Sequence, residues 1–221
     1  LGAGWEWAGG VRVGPDPGDS KGVGCVDTAR QEFAIGEVYS PWALSMKLRE
    51  GFRFISQNLP KDTDSETVRN IEYAATNGML STLDPHGVLE MIADSLRSVV
   101  NYDTLSLYVV DWEAGVRRAM VARDRFADVI LAHASPIFSG ITGWAIEHGE
   151  ALFVNDVHLD GRSQQIPGTP FEPESMLIVP LVVDGRVEGT LNVGRIGGVE
   201  AHFNANEFDL TKLFAGQASL A

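Results

Sequence analysis

The chain is 221 residues long, 44% apolar and 21% charged, with a formal net charge of −13. Those proportions suit a soluble globular chain that buries a core without disulfide staples. With 30 acidic against 17 basic residues and no basic stripe, nucleic acid is excluded as an expected partner, and an anionic membrane surface is repelled.

Residues 1–40 are punctuated by Gly and Pro, as in GGVRVGPDPGDSKGVG, and their apolar residues keep no steady period. They are expected to form a poorly ordered leader. The alternative is a few short strands around Val11, Val13, Val23 and Val26. The start, LGAGWEWAGG, has neither a basic head nor an apolar stretch, so no signal peptide is expected. No apolar run in the chain nears the ~18 residues that span a bilayer. Cys25 is the single cysteine; it cannot close an internal disulfide, which fits a reducing, cytoplasmic setting, and it has no histidine near it in sequence.

The pattern changes at Pro41. Trp42, Leu44, Leu48, Phe52 and Ile55 fall at helical spacing, and Pro60 closes that helix. Asp64-Ser65-Glu66 can cap a second helix, from Thr67 to Leu83, which Gly78 weakens. Residues 41–83 therefore read as a helical segment. Asp84-Pro85 is the clearest helix start in the chain, with Asp as cap and Pro at the first helical position. Behind it Val88, Leu89, Ile92, Ala93, Leu96, Val99 and Val100 make one apolar stripe.

Strand signals follow. Thr104 to Val110 alternates, 111–115 is turn chemistry, and Val116 to Arg123 returns as an antiparallel partner. Phe126 to His133 reads as a short helix or irregular crossing. Ile141 to Glu147 reads as a helix entered through Ser139-Gly140, and Ala151 to Val154 as a short strand. Residues 155–174 form a long polar loop with three prolines, and a loop of that length inside a compact domain is usually functional. Met176 to Val183 and Val187 to Ile196 form a second hairpin across Asp184-Gly185. Asn204, with Glu207 three places on, opens a last helix through a capping box. This order gives an antiparallel sheet with helices on its faces, an α+β fold.

Four stretches resemble a GAF domain: STLDPHGVLEMIADSLRSVVNYDTLSLYVVD (Ser81–Asp111), GITGWAIEHGEALFVNDVHLD (Gly140–Asp160), PESMLIVPLVVDGRVEGTLNVGR (Pro173–Arg195) and HFNANEFDLTKLFAGQASLA (His202–Ala221). The Gly-x-x-Gly-Trp turn, the Asn-Asp before the long loop, the Ser-Met-x-x-x-Pro-Leu strand and the Asp-Gly hairpin occur in the family's order. The resemblance places a GAF domain at 84–221. It implies a GAF/PAS-like antiparallel sheet of five or six strands flanked by helices, with a pocket between one sheet face and the crossing segments. It further implies a regulatory sensor that dimerises through its terminal helices and controls a C-terminal output domain, such as a kinase, cyclase or phosphatase. A weaker similarity relates residues 51–86 to the helical region ahead of the PDZ domain in carboxy-terminal processing proteases, whose Ser/Lys pair this chain lacks.

No catalytic centre is expected. There is no Gly-x-Ser-x-Gly elbow, and the five histidines form no His-x-x-x-His or Glu-x-x-His pair. The Asn-Lys-Phe-Asp-Glu signature of cyclic-nucleotide GAF domains and a bilin-attachment motif are not recognisable, so no cofactor is assigned. Polar residues of the long loop and of the strands, with aromatic walls, are the expected ligand contacts: Tyr108, Trp144, Asp156, His158, Arg162, Gln165, Phe171, Ser175 and Asn192. Small-molecule sensing, a ligand-free dimerisation or spacer module, and a non-catalytic protease-related fragment all remain open at the level of sequence.

Overall fold

The computed structural model describes residues 6–8, 11–13, 41–61, 63–76 and 85–219. Two units are present, residues 1–40 and residues 41–221. In the first, β1 (Glu6–Ala8) pairs antiparallel with β2 (Val11–Val13), Trp7 opposite Arg12. Strands therefore form at Val11 and Val13, while Val23, Cys25 and Val26 lie outside the described residues.

The second unit begins with α1 (Pro41–Gln57) and α2 (Ser65–Thr76). Asp64 caps α2, its Oδ1 accepting from the backbone N–H groups of Glu66 and Thr67 at 2.9 Å each. Of the helix expected over Thr67 to Leu83, the part beyond Thr76 lies outside the described residues, as do Gly78 and the Asp84 cap. Helix α3 (Pro85–Arg97) follows, and its stripe is buried at Val88, Leu89, Ile92, Ala93 and Leu96.

The sheet has six strands: β3 (Thr104–Asp111), β4 (Val116–Arg123), β5 (Ala134–Pro136), β6 (Leu152–Val154), β7 (Glu174–Val183) and β8 (Arg186–Ile196). Their order is β5-β4-β3-β8-β7-β6, with every neighbouring pair antiparallel. The β7–β8 turn places Asp184 at φ 50° and Gly185 at φ 78°, the left-handed pair that a two-residue hairpin requires. β5 was not foreseen: three residues carry too little periodicity to register.

One sheet face carries the main core. Leu105, Leu107, Leu177, Val179, Leu191 and Val193 meet α3 and the last helix, α6 (Ala205–Ala218). Phe52, Ile55 and Ile71 of α1 and α2 join that core, and the Phe52 ring meets Phe214 edge-on at 6.0 Å. Phe214 has no exposed surface, so its burial alone contributes about 2–3 kcal/mol. The opposite face is covered by α4 (Ala127–Ala132), α5 (Gly140–His148) and the long loop after β6. There the apolar contacts break into small clusters, one around Val110, Ile137, Ile146 and Val187 and another around Ile141, Ala145, Val157 and Ile178. A sheet fully packed on one side and only partly packed on the other leaves room for a hollow.

Candidate functional site

The hollow is a cavity of about 410 Å³. Its floor is the face of β3, β7 and β8 that turns away from the helical core. Strand alternation sends Leu105 and Leu107 into the core and leaves Thr104, Ser106 and Tyr108 on the cavity side. Ser106 stands opposite Asn192 and Thr104 opposite Gly194, and Glu174 and Met176 extend the floor onto β7. The far wall comes from Phe126 and Ile130, and the roof from Gln165, Ile166, Pro170 and Phe171. Thr169 Oγ1 donates to the Ile166 carbonyl at 2.9 Å, and Arg125 pairs with Glu172, both of which hold the roof in place.

Three polar features are built into the lining. Arg117 is 7% exposed. Its Nη1 donates to the carbonyls of Pro136 and Ile137 at 2.6 and 2.7 Å, and its Nε has no partner among the described residues. Burial pulls its pKa below the ordinary value, with the neighbouring Tyr108 opposing. Asn192, 5% exposed, donates from Nδ2 to Thr142 Oγ1 at 2.8 Å and keeps its Oδ1 unpartnered. At the other end, the half-buried Glu174 carboxyl lies 3.4 Å from Thr104 Oγ1. Burial first, then the charges of Asp124, Glu172 and Asp103, push its pKa up to about 7 against the hydrogen bond from Thr104. Gly194 makes space for it: a Cβ there would stand 2.2 Å from Thr104 Oγ1 and 2.3 Å from Glu174 Oε1.

Of the residues expected from sequence, Tyr108, Gln165, Phe171 and Asn192 line the cavity. Trp144, Asp156, His158, Arg162 and Ser175 lie outside its lining. Trp144 stacks on His148 at 4.0 Å and carries the Arg162 guanidinium 4.9 Å from its ring centre. Arg162 in turn grips Asp160 through Nε at 2.9 Å and Nη2 at 2.6 Å, which holds the Asp160 carboxyl below its usual range. These groups fasten the loop to α5. Asp156 faces His202 at 3.5 Å, and His158 is exposed. Ser175 is fully buried and donates to the Asn155 carbonyl at 2.7 Å.

Sequence reasoning missed Arg117, Glu174 and the first turn of α5. Two ties connect the cavity's framework to α6. Arg195, one residue past Gly194, donates from Nη2 to Glu207 Oε1 at 2.5 Å, from Nε to the Asn101 carbonyl at 2.8 Å and from Nη1 to the His202 carbonyl at 3.2 Å. Asn155, where the loop begins, accepts from Phe203 N–H at 3.0 Å and donates to the Phe203 carbonyl at 3.3 Å.

A six-stranded antiparallel sheet, helical on one face and hollow on the other, makes the second unit a three-layer α+β domain. Residues 82–221 match the family model described as GAF domain, and the chain belongs to the GAF domain family. Its fold is similar to that of the GAF domain from a phosphoenolpyruvate-protein phosphotransferase of Coxiella burnetii, at a TM-score of 0.58 and 17% identity over 79% of this chain and 92% of that one. Free methionine-R-sulfoxide reductase from Neisseria meningitidis, solved with its substrate, gives a TM-score of 0.55 and 17% identity over 73% and 92% of the two chains. A methyl-accepting chemotaxis protein gives 0.53 and 20% over 62% and 88%. No curated protein matches the chain in sequence. A reductase and a chemotaxis protein share this fold, so the fold does not by itself choose between catalysis and signalling. No described helix is long and apolar enough to cross a membrane.

Proposed function

We propose that residues 84–221 act as a non-catalytic regulatory sensor, in which a small molecule held in the cavity under the long loop changes the setting of the terminal helices. The observation that carries this reading is the position of the roughly 410 Å³ cavity: its floor strand β8 carries Arg195 near its end, and Arg195 is bonded to Glu207 in the first turn of α6. The volume falls in the range of roughly 300–1,000 Å³ usual for small-molecule sites. A ligand that draws the roof onto the floor favours one arrangement of β8 and the loop, and the Arg195 and Asn155 ties carry that preference to α6. The shift requires only that the ligand bind one arrangement more tightly than the other. The same reading includes a homodimer through the terminal helices, a cytoplasmic setting, and an output domain such as a kinase, cyclase or phosphatase driven by α6.

Thermal unfolding of the 221-residue chain against a chemically broad panel of small molecules, followed by hydrogen exchange on the hits, tests it. A stabilising compound that also changes protection across residues 205–218 is the expected result. Absence of any stabilising compound would replace the sensor with a ligand-free dimerisation and spacer module.

A further inference from the structure

Among the described residues, Arg117 is a buried cation without a counter-charge. It is more than nine-tenths buried, it lines the cavity, and no carboxylate pairs with it among the described residues. Its two hydrogen bonds go to neutral carbonyls, those of Pro136 and Ile137, and its Nε is left over. An uncompensated charge in such a place is costly, and an anion beside it removes much of that cost.

The carbonyls that Arg117 grips lie just ahead of the nine-residue helix α5. Ser139 stands at the N-cap position but makes no capping bond. Its hydroxyl donates backward to the Pro136 carbonyl at 2.9 Å. The backbone N–H groups of Gly140, Ile141 and Thr142, which no intrahelical carbonyl can reach, receive no cap from the Ser139 side chain, and all three residues line the cavity. A helix start carries about half a positive charge and presents its N–H groups to an anion. Asn192 joins the same point, bonded through Nδ2 to Thr142 Oγ1 and keeping Oδ1 free.

The carboxylates of the cavity sit at its other end. Glu174 lies beside Thr104, whose Cα is four residues along β3 from that of Tyr108, or about 13 Å at the usual strand rise; Glu174 and Asp124 act on the Tyr108 hydroxyl, and neither acts on Arg117. Tyr108 is the residue whose ring centre lies 5.8 Å from the Arg117 guanidinium carbon. Asp124 is near Glu174, and Glu172 is paired with Arg125. None of them neutralises the Arg117 end.

Resting on the reading that the cavity holds a small molecule, we propose that this molecule is a small organic acid, its anionic group seated between the Arg117 guanidinium and the open first turn of α5. Asn192 Oδ1 accepts from a hydrogen-bond donor on the body of the same molecule. Carboxylate and phosphate share the required chemistry.

The test titrates the full chain with small aliphatic and aromatic carboxylic acids, each matched with its primary amide, and with the corresponding phosphate monoesters, read by calorimetry and thermal shift. An acid or phosphate binding at least about tenfold more tightly than its neutral counterpart is expected, and the better of the two series identifies the anion. The tightest anion should lose about tenfold or more in Arg117→Gln and part of that in Arg117→Lys, with folding confirmed by circular dichroism. Ser139→Asp leaves Arg117 and its carbonyl contacts in place and adds a competing carboxylate at the helix start, so it should weaken the same anion. Amides that bind as tightly as their acids would overturn the anion site and leave the sensor reading standing. So would an anion indifferent to both Arg117→Gln and Ser139→Asp. A panel in which no compound of any class binds would overturn the sensor reading, and this proposal with it.

Discussion

Ser139 turns its hydroxyl back onto the Pro136 carbonyl, 2.9 Å away, and leaves the helix that follows it uncapped. Serine at that position usually accepts from the second or third helical N–H, and losing the cap costs about 1 kcal/mol. Here the cost is accepted at the wall of the cavity. Ser139→Asp should therefore stabilise the unliganded domain by about 1 kcal/mol, since an aspartate can reach the open N–H groups and adds charge favourable to the helix start and to Arg117. Urea unfolding of the two chains checks it. A midpoint that stays the same or falls would mean that the first turn of α5 is already satisfied.

The Arg195–Glu207 pair joins β8 to α6 with only 14% and 17% of the two side chains exposed. Glu207 serves two partners: it bonds Arg195 and, through Oε2, accepts from Asn204 N–H at 2.9 Å in the capping box. Arg195→Ala leaves the Asn101 and His202 carbonyls without donors and Glu207 without its cation, so a loss of about 2–3 kcal/mol is expected. Glu207→Gln keeps the box with its one amide oxygen but turns its NH2 toward Arg195, so it loses the charge and that hydrogen bond, at about 1–2 kcal/mol. Denaturant midpoints for the pair of variants test the ordering. Hydrogen exchange should place the added opening of Arg195→Ala in 205–218.

Glu174 gives the stability a pH dependence of determinable sign. Its carboxyl titrates near 7 in the folded chain against 4.5 as the ordinary value. Between those values the folded state holds the proton more firmly than the unfolded one, so stability falls as pH rises from about 4.5 to about 7 and stays lowered above. Glu174→Gln removes the penalty. The variant should match the parent near pH 4.5 and exceed it near pH 8, by about 1–3 kcal/mol after allowance for partial solvent access. Thermal melts at the two pH values decide it: equal gains at both would assign the effect to packing.

The architecture was legible because it rests on signals local in sequence. The Asp184-Gly185 hairpin, the Asn204/Glu207 capping box and the alternation of Leu105 and Leu107 each need only a few neighbouring residues to be read. The cavity was less legible because its key residues depend on register and on distant neighbours. Arg117 is the clearest case. A strict two-residue period along β4 puts Arg117, Ala119 and Val121 on one face. The pairing with β3 shifts, however: Val121 stands opposite Leu107 and Ala119 opposite Tyr108. Met120 is the extra residue, and a bulge of this kind re-aims what lies beyond it. Val121 enters the main core while Arg117 turns to the cavity. Trp144 and Arg162 show the converse. Both carry groups suited to a ligand, yet they spend them on each other and on Asp160, a pairing that no local pattern reveals.

Gly140 and Gly143 of the Gly-x-x-Gly-Trp turn answer to different constraints. Gly140 holds φ at 69°, which β-carbon-bearing residues rarely adopt. Gly143 has ordinary helical geometry, but a Cβ on it would stand 2.1 Å from the Phe138 carbonyl carbon and 2.6 Å from its oxygen. Those are backbone atoms next to the Pro136 and Ile137 carbonyls that Arg117 holds, and they cannot rotate away. Gly143→Ala should displace α5 from the cavity wall and cost about 2–4 kcal/mol, despite alanine's higher helix propensity. Gly216 in α6 is the control, since it is exposed and no atom of the described residues lies within 4 Å of its would-be Cβ. Gly216→Ala should follow propensity alone and stabilise by about 0.5–1 kcal/mol. Urea unfolding of the two single variants tests the contrast. Similar small gains in both would mean that α5 does not press on Phe138 as closely as the structure places it.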